Sequence, residues 1–261
     1  GSVTINNITY LTDGSQDGVK NFYGVIVDTG ANTSACTDLS LSYTLDTTGP
    51  NQPTLALQVP LTSPNNDSTP TIRVSGIITT DTAELHVNDS SCLAPSLNGS
   101  AVSTGAFVDV TTSSALADGS YTIYAKIIDA GGNSLCSTAS VAYVLDTVNP
   151  NDPSGWTMAS PNTGTTSNDN TPQISAAGIV GENGSIANIY DAGTCTTSIG
   201  FATIAAGGFT VSNISYLTNG TQDGLKTFYG RITDAAGNNS NCTDITLAYT
   251  LDTTAAVTPT T

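Results

Sequence analysis

Tyr43-Thr44-Leu45-Asp46-Thr47-Thr48 returns as Tyr143-Val144-Leu145-Asp146-Thr147 and again as Tyr249-Thr250-Leu251-Asp252-Thr253-Thr254, so the chain repeats one module of about a hundred residues. Upstream of the first and last copies the agreement continues: Val3-Thr4-Ile5-Asn6-Asn7-Ile8-Thr9-Tyr10-Leu11 matches Phe209-Thr210-Val211-Ser212-Asn213-Ile214-Ser215-Tyr216-Leu217, without a gap through Asp46 and Asp252. Residues 1–48 therefore read as the trailing half of a module. A leading half carries a proline-flanked start and an Asn-Asp-x-Thr-Pro turn. These marks stand at Pro50 to Pro53 with Asn66-Asp67-Ser68-Thr69-Pro70, and at Pro150 to Pro153 with Asn168-Asp169-Asn170-Thr171-Pro172. The expected organisation is a half-module over 1–48, complete modules over 49–147 and 148–254, and a tail or linker over 255–261. Such a chain begins inside a longer polypeptide, or it borrows strands from another copy.

The repeated segment alternates. Leu39, Leu41, Tyr43 and Leu45 are separated by Ser40, Ser42 and Thr44, and the pattern recurs at Val141, Tyr143, Leu145 and at Ile245, Leu247, Tyr249, Leu251. Period two marks a strand with one buried face. A second alternating run precedes each, through Phe22, Gly24, Ile26, or Tyr121, Ile123, Ala125, Ile127, or Phe228, Gly230, Ile232. A Gly/Asn turn such as Asp129-Ala130-Gly131-Gly132-Asn133 or Asp234-Ala235-Ala236-Gly237-Asn238 joins the two, which predicts a hairpin. Thr, Val, Ile, Tyr and Gly dominate, and no stretch shows helical spacing with a capping box. The reading is all-β, with modules of about seven short strands.

The 21 acidic residues against 5 basic ones leave a formal charge of −16, with 10% charged residues in all. Such a surface repels nucleic acid and anionic lipid and attracts divalent cations. No apolar run approaches the length of a membrane span, and no basic-then-apolar leader opens the chain, so membrane insertion is not expected.

Asp-Ala-Ala-Gly-Asn followed by Tyr-Thr-Leu-Asp-Thr-Thr, with Pro-Asn-x-Pro and Asn-Asp-x-Thr-Pro, resembles the tandem bacterial Ig-like repeats of large surface and adhesin proteins. The resemblance covers essentially the whole chain and is nearly silent on ligand. It implies immunoglobulin- or fibronectin III-like sandwiches arranged end to end in an extracellular stalk, fibre or adhesin, often rigidified by calcium. Asp118-Gly119-Ser120-Tyr121 is similar to the tyrosine corner of such folds. Lys20 and Lys226 take that position in the other copies, either snorkelling or, as in some bacterial surface sandwiches, forming an isopeptide bond.

The five cysteines fall one to the half-module and two to each complete module. Cys92 with Cys136 and Cys195 with Cys242 are the expected disulfides, each closing a loop of some 45 residues. Cys36 aligns with Cys242 and is left without a partner in this stretch. A Cys92 to Cys242 link between modules is the alternative. Disulfides imply export through an oxidising compartment and a location outside the cell.

In end-to-end arrays the last strand of one module reaches the loop between the last two strands of the next. Asp46 is then expected near Asp129 and Asn133, and Asp146 near Asp234 and Asn238, as calcium ligands. The other reading of these Asp and Asn residues is that they form Asx-turns and tolerate left-handed backbone. His86 is the one histidine and stands in Glu84-Leu85-His86-Val87 with no motif around it, so no catalytic residues are expected. Trp156 and Tyr190 are candidates for stacking on a sugar, or for packing.

Three functions follow. The leading one is a structural stalk or fibre segment whose partners are adjacent modules or other copies. The second is an adhesin module contacting host or surface glycan or protein through its loops. The third is a filament subunit assembled by strand complementation of the half-module.

Overall fold

The structure is a computed structural model that describes residues 2–258; Gly1 and the last three residues of the tail lie outside the described part. The described residues are strands and loops with one short 3-10 turn at Ala94–Ser96, and no helix among them is long and apolar enough to cross a membrane. By contact density the chain divides into two compact units. One holds the residues through Thr62 together with Ser68–Tyr143, and the other holds Ser63–Asp67 with Val144 onward.

In the first unit, β1 (Gly18–Gly24) and β2 (Thr37–Leu45) form a two-stranded antiparallel sheet. They are the hairpin read from the sequence. Residues 54–145 form two further sheets. β3 (Thr54–Val59), β4 (Thr71–Ser75) and β7 (Phe107–Thr111) lie in the order β3-β4-β7. Opposite them run β10 (Val141–Leu145), β8 (Gly119–Ile128), β5 (Thr82–Val87) and β6 (Leu97–Val102), with β9 (Ser134–Cys136) also paired to β8. Ile72 and Val74 of the three-stranded sheet and Leu85, Ile123, Ala125 and Ile127 of the other are fully buried, so two apolar faces close on one core.

The second unit repeats the plan. β11 (Trp156–Ser160), β13 (Gln173–Ala177) and β16 (Gly208–Val211) form one sheet, and β12 (Thr166–Ser167), β18 (Thr243–Leu251), β17 (Gly224–Thr233), β14 (Ile186–Tyr190) and β15 (Gly200–Thr203) form the other. Its core gathers Ile174, Ile189, Val211, Phe228, Ile232, Tyr249 and Leu251. A three-stranded sheet packed on a larger, mostly antiparallel one, with β12 joining β18 in parallel in the second unit, is the immunoglobulin-like sandwich. The Tyr121 hydroxyl donates to the carbonyl of Ala117, four residues upstream, which is the tyrosine corner expected there.

Phe228 and Phe22 occupy the same repeat position but not the same environment: Phe228 is fully buried and Phe22 is half-buried. Trp156 is the sole tryptophan and reports on its own module. Phe228→Ala is expected to lower the urea transition seen by Trp156 fluorescence by about 3–5 kcal/mol, while Phe22→Ala leaves that transition where it was. Equal shifts in the two variants would contradict the assigned cores.

Candidate functional site

The loop between the last two strands is built the same way in all three copies. Asp129 Oδ1 accepts the backbone N–H of Asn133 at 2.9 Å, and the Asn133 amide returns to Asp129 Oδ2 at 3.1 Å. Asp234 and Asn238 repeat both bonds at 2.9 and 3.0 Å, as do Asp28 and Asn32 at 2.9 Å each. The side-chain amide of Asn32 and the backbone N–H groups hold the Asp28 carboxyl below its usual range. The turn chemistry expected of these residues is therefore present.

Two of these loops also receive the end of a preceding strand. Asn133 Nδ2 donates to the carbonyls of Asp46 and Thr48, at 3.2 Å each, and Asn238 Nδ2 donates to the carbonyl of Asp146 at 2.7 Å. The asparagine Nδ2 groups thus strut the joint as donors, and the ligand role expected of these residues would fall to Oδ1. The Asp46 carboxylate lies against Gly131 so closely that a Cβ there would come within 2.8 Å of it, which explains a glycine in the loop.

Each joint borders a half-open cavity. The one beside Asp46 and Asp129, about 270 Å³, is lined also by Asp81 and by the connecting segment Thr48–Asn51. Asp81 is 3% exposed. One of its oxygens accepts the Ile78 N–H at 3.0 Å and the other, Oδ1, has no hydrogen-bond partner. The cavity beside Asp146 and Asp234, about 340 Å³, is lined by Glu182, which is 9% exposed and accepts from Ser185 Oγ at 3.1 Å. Neither lining includes a lysine, arginine or histidine. Among the described residues no three His, Cys, Asp or Glu side chains close on a common point as a metal cage. Any cation there would need backbone carbonyl and water oxygens beside the carboxylates.

Asp81 and Glu182 were not found by sequence reasoning. They stand in loops of different sequence, Thr79-Thr80-Asp81 and Gly181-Glu182-Asn183, so no repeat signal connects them. The clamp that Asp17 and Asp223 form was also missed, and here a signal existed. Asp17 accepts from the hydroxyls of Thr47 and Thr48 at 2.7 and 2.8 Å, and Asp223 from those of Thr253 and Thr254 at the same distances. The Gln-Asp-Gly and Asp-Thr-Thr motifs recur together in the two copies because one clamps the other.

Cys92 is bonded to Cys136 and Cys195 to Cys242, each pair within its module, and Cys36 is exposed and free. Trp156 packs edge-on to Phe209 at 4.9 Å, and Tyr190 is 3% exposed beside Arg231. Both rings take part in the packing of the third module, Tyr190 buried and Trp156 half-buried. Lys20 and Lys226 lie over the rings of Tyr10 and Tyr216, a cation–π placement of a snorkelling side chain. His86 is buried, with Nδ1 between Ser96 Oγ at 2.8 Å and the Leu93 carbonyl at 3.1 Å, where it anchors a loop.

No protein-family model matches the chain, and no curated protein matches it. Among solved structures it is similar to the fibronectin(III)-like modules of Clostridium thermocellum CbhA, at 12% identity over 76% of this chain and 93% of that one, TM-score 0.46. It is also similar to a Ca2+-stabilized adhesin that helps an Antarctic bacterium reach out and bind ice, at 17% identity over 92% and 57%, TM-score 0.39. A tetra-tandem repeat in the extending region of a large adhesion protein is similar at 20% identity over 91% and 57%, TM-score 0.28. The chain spans 57% of each of these last two structures.

Two measurements check the bonds described. Under native, non-reducing conditions one thiol per chain, Cys36, is expected to react with maleimide, and the double variant Cys195→Ser with Cys242→Ser is expected to lose about 4 kcal/mol in the Trp156-reported transition. The Asp223 clamp is pH-dependent. Hydrogen bonds from Thr253 and Thr254 lower its carboxyl in the folded state, so its contribution is present above the ordinary carboxylate value and is lost as pH falls through the lowered one. Asp223→Asn is therefore expected to be less stable than the parent at neutral pH and to converge with it in acid.

Proposed function

We propose that the chain is a structural repeat segment of a bacterial extracellular stalk, fibre or adhesin, in which each joint is a calcium site and each complete module is closed by its own disulfide. The observation that carries the reading is the orphaned oxygen of Asp81, buried beside the cavity that Asp46 and Asp129 share. A buried anionic oxygen without a partner is costly, and three carboxylates around one cavity with no basic residue in the lining add repulsion to that cost. A divalent cation offsets both.

The donor chemistry favours calcium. The polar lining offers oxygen from Asp46, Asp81 and Asp129 in one joint, and from Asp146, Glu182 and Asp234 in the other, with no imidazole or thiolate. Hard oxygen donors suit calcium, and soft or nitrogen donors suit the later transition metals. Held there, the cation ties the end of one strand to the hairpin loop beside it, so the function is mechanical. Two disulfides support passage through an oxidising compartment and a place outside the cell. The partners are then adjacent modules of the same polypeptide, and no reaction is assigned to any residue.

A thermal melt with and without calcium tests the proposal. At calcium a hundredfold above its dissociation constant, binding to one site is expected to add about 2.7 kcal/mol, and a chelator is expected to remove it. Asp81→Asn and Glu182→Gln are expected to fold and to lose the response at their own joints. A midpoint unmoved by calcium and by chelator would take the ion out of the reading.

A further inference from the structure

Residues 2–48 and residues 208–254 carry the same apolar positions, offset by 206, yet one copy exposes what the other buries. Val3 is 87% exposed where Phe209 is 8%, Ile5 66% where Val211 is 0%, and Leu41 61% where Leu247 is 8%. With Ile8, Phe22 and Leu39 these residues line an apolar groove of about 450 Å³. An open face of this kind on a soluble domain marks an interaction surface.

The buried copy records what such a face receives. β13 pairs with β16, placing Ile174 opposite Val211, and β14 pairs with β17, placing Ile189 opposite Gly230. The Trp156 indole lies over Gly230, where an added Cβ would meet it at 2.5 Å. Cys195, in the loop after β14, closes on Cys242.

Every one of these features has an unanswered counterpart in the open copy. Residues 3–5, equivalent to part of β16, form no strand, and β1 stops at Gly24 although β17 continues to Thr233. Gly24 stands in the place of Gly230, and Cys36 in the place of Cys242. The remaining module shows the size rule. Ala125 takes the glycine position, and Leu55, opposite Val74 as Trp156 is opposite Ala176, takes the tryptophan position.

We infer that the groove of residues 2–45 is an acceptor for the leading half of a module of this same repeat type, joined to it by a disulfide at Cys36. The occupant has the chemistry of residues 149–206. It offers one alternating apolar strand to residues 3–5 and another to the edge of β1, a bulky aromatic side chain over Gly24, and a cysteine in the loop after the second of these strands. Another copy of this chain does not serve. Both leading halves among the described residues are already packed into their own modules, with Ile72, Val74, Ile174 and Ile189 fully buried, so a second copy would have to open a finished core to supply one. For the bond itself, Cys36 and the incoming cysteine give two protons and two electrons to a small-molecule disulfide, which leaves as two thiols. This inference is independent of the cation, and the two fail separately.

The test adds a recombinant fragment of residues 149–206 to the intact 261-residue chain in a glutathione redox buffer. Expected are a Cys36 to Cys195 crosslink on peptide mapping and slower hydrogen exchange at residues 3–5 and 18–26. Cys36→Ser is expected to retain the protection without the crosslink, and Gly24→Phe, which fills the aromatic seat, to weaken fragment binding at least tenfold. A crosslink without protection would mean thiol capture alone and would overturn the proposal, as would a dimer of the chain that protects the same residues. If the fragment aggregates, joining residues 149–206 ahead of Ser2 decides the matter: protection at 3–5 is expected there, and its absence overturns the proposal.

Discussion

A strand that alternates apolar and polar side chains has one face that water disfavours, and that face must be covered before the strand is worth forming. The cores at Ile72, Val74, Leu85 and Ile127, and at Ile174, Ile189, Phe228 and Tyr249, are two solutions of that condition. The consequence is visible where covering is missing. Gly208–Val211 is a strand against β13, whereas Val3-Thr4-Ile5, its match in sequence, is not a strand at all. Residues 18–24 and 37–45 still pair, because a hairpin satisfies its inner backbone groups locally.

The joints obey a second constraint, that polar groups removed from water keep hydrogen-bond partners. The Asp-x-x-x-Asn loop meets it by itself, since Asp28 and Asn32 close the same ring of bonds found at Asp129 and Asp234. What the joint adds is the use of the asparagine amide on the strand that arrives, at Asp46 or at Asp146. With that strand in place there is a half-open cavity for Asp81 or Glu182 to border.

Legibility followed the range of the interaction. The hairpins, the all-β class and the recurring cysteines were readable because each leaves a signal within one module and the module is repeated. The register of the leading halves was less so. Simple alignment sets Ala56 against Trp156, while strand pairing puts Leu55 there, one residue away, because β3 and β11 take their register from β4 and β13. The aromatic platform drawn from Trp156 and Tyr190 looked open in sequence, where nothing shows that Phe209 and Gly230 form the pocket around the indole.

Sequence by itself determined the repeat, its strand pairs and its charge, since periodicity and spacing are local properties that repetition makes plain. Tertiary structure alone decided which alternating faces are buried and which carboxylate is left without a partner. Burial and hydrogen bonding depend on residues far along the chain. The Asp-Thr-Thr repeat shows both: its recurrence is read from letters, while its threonines are held by Asp17 and Asp223 some thirty residues away.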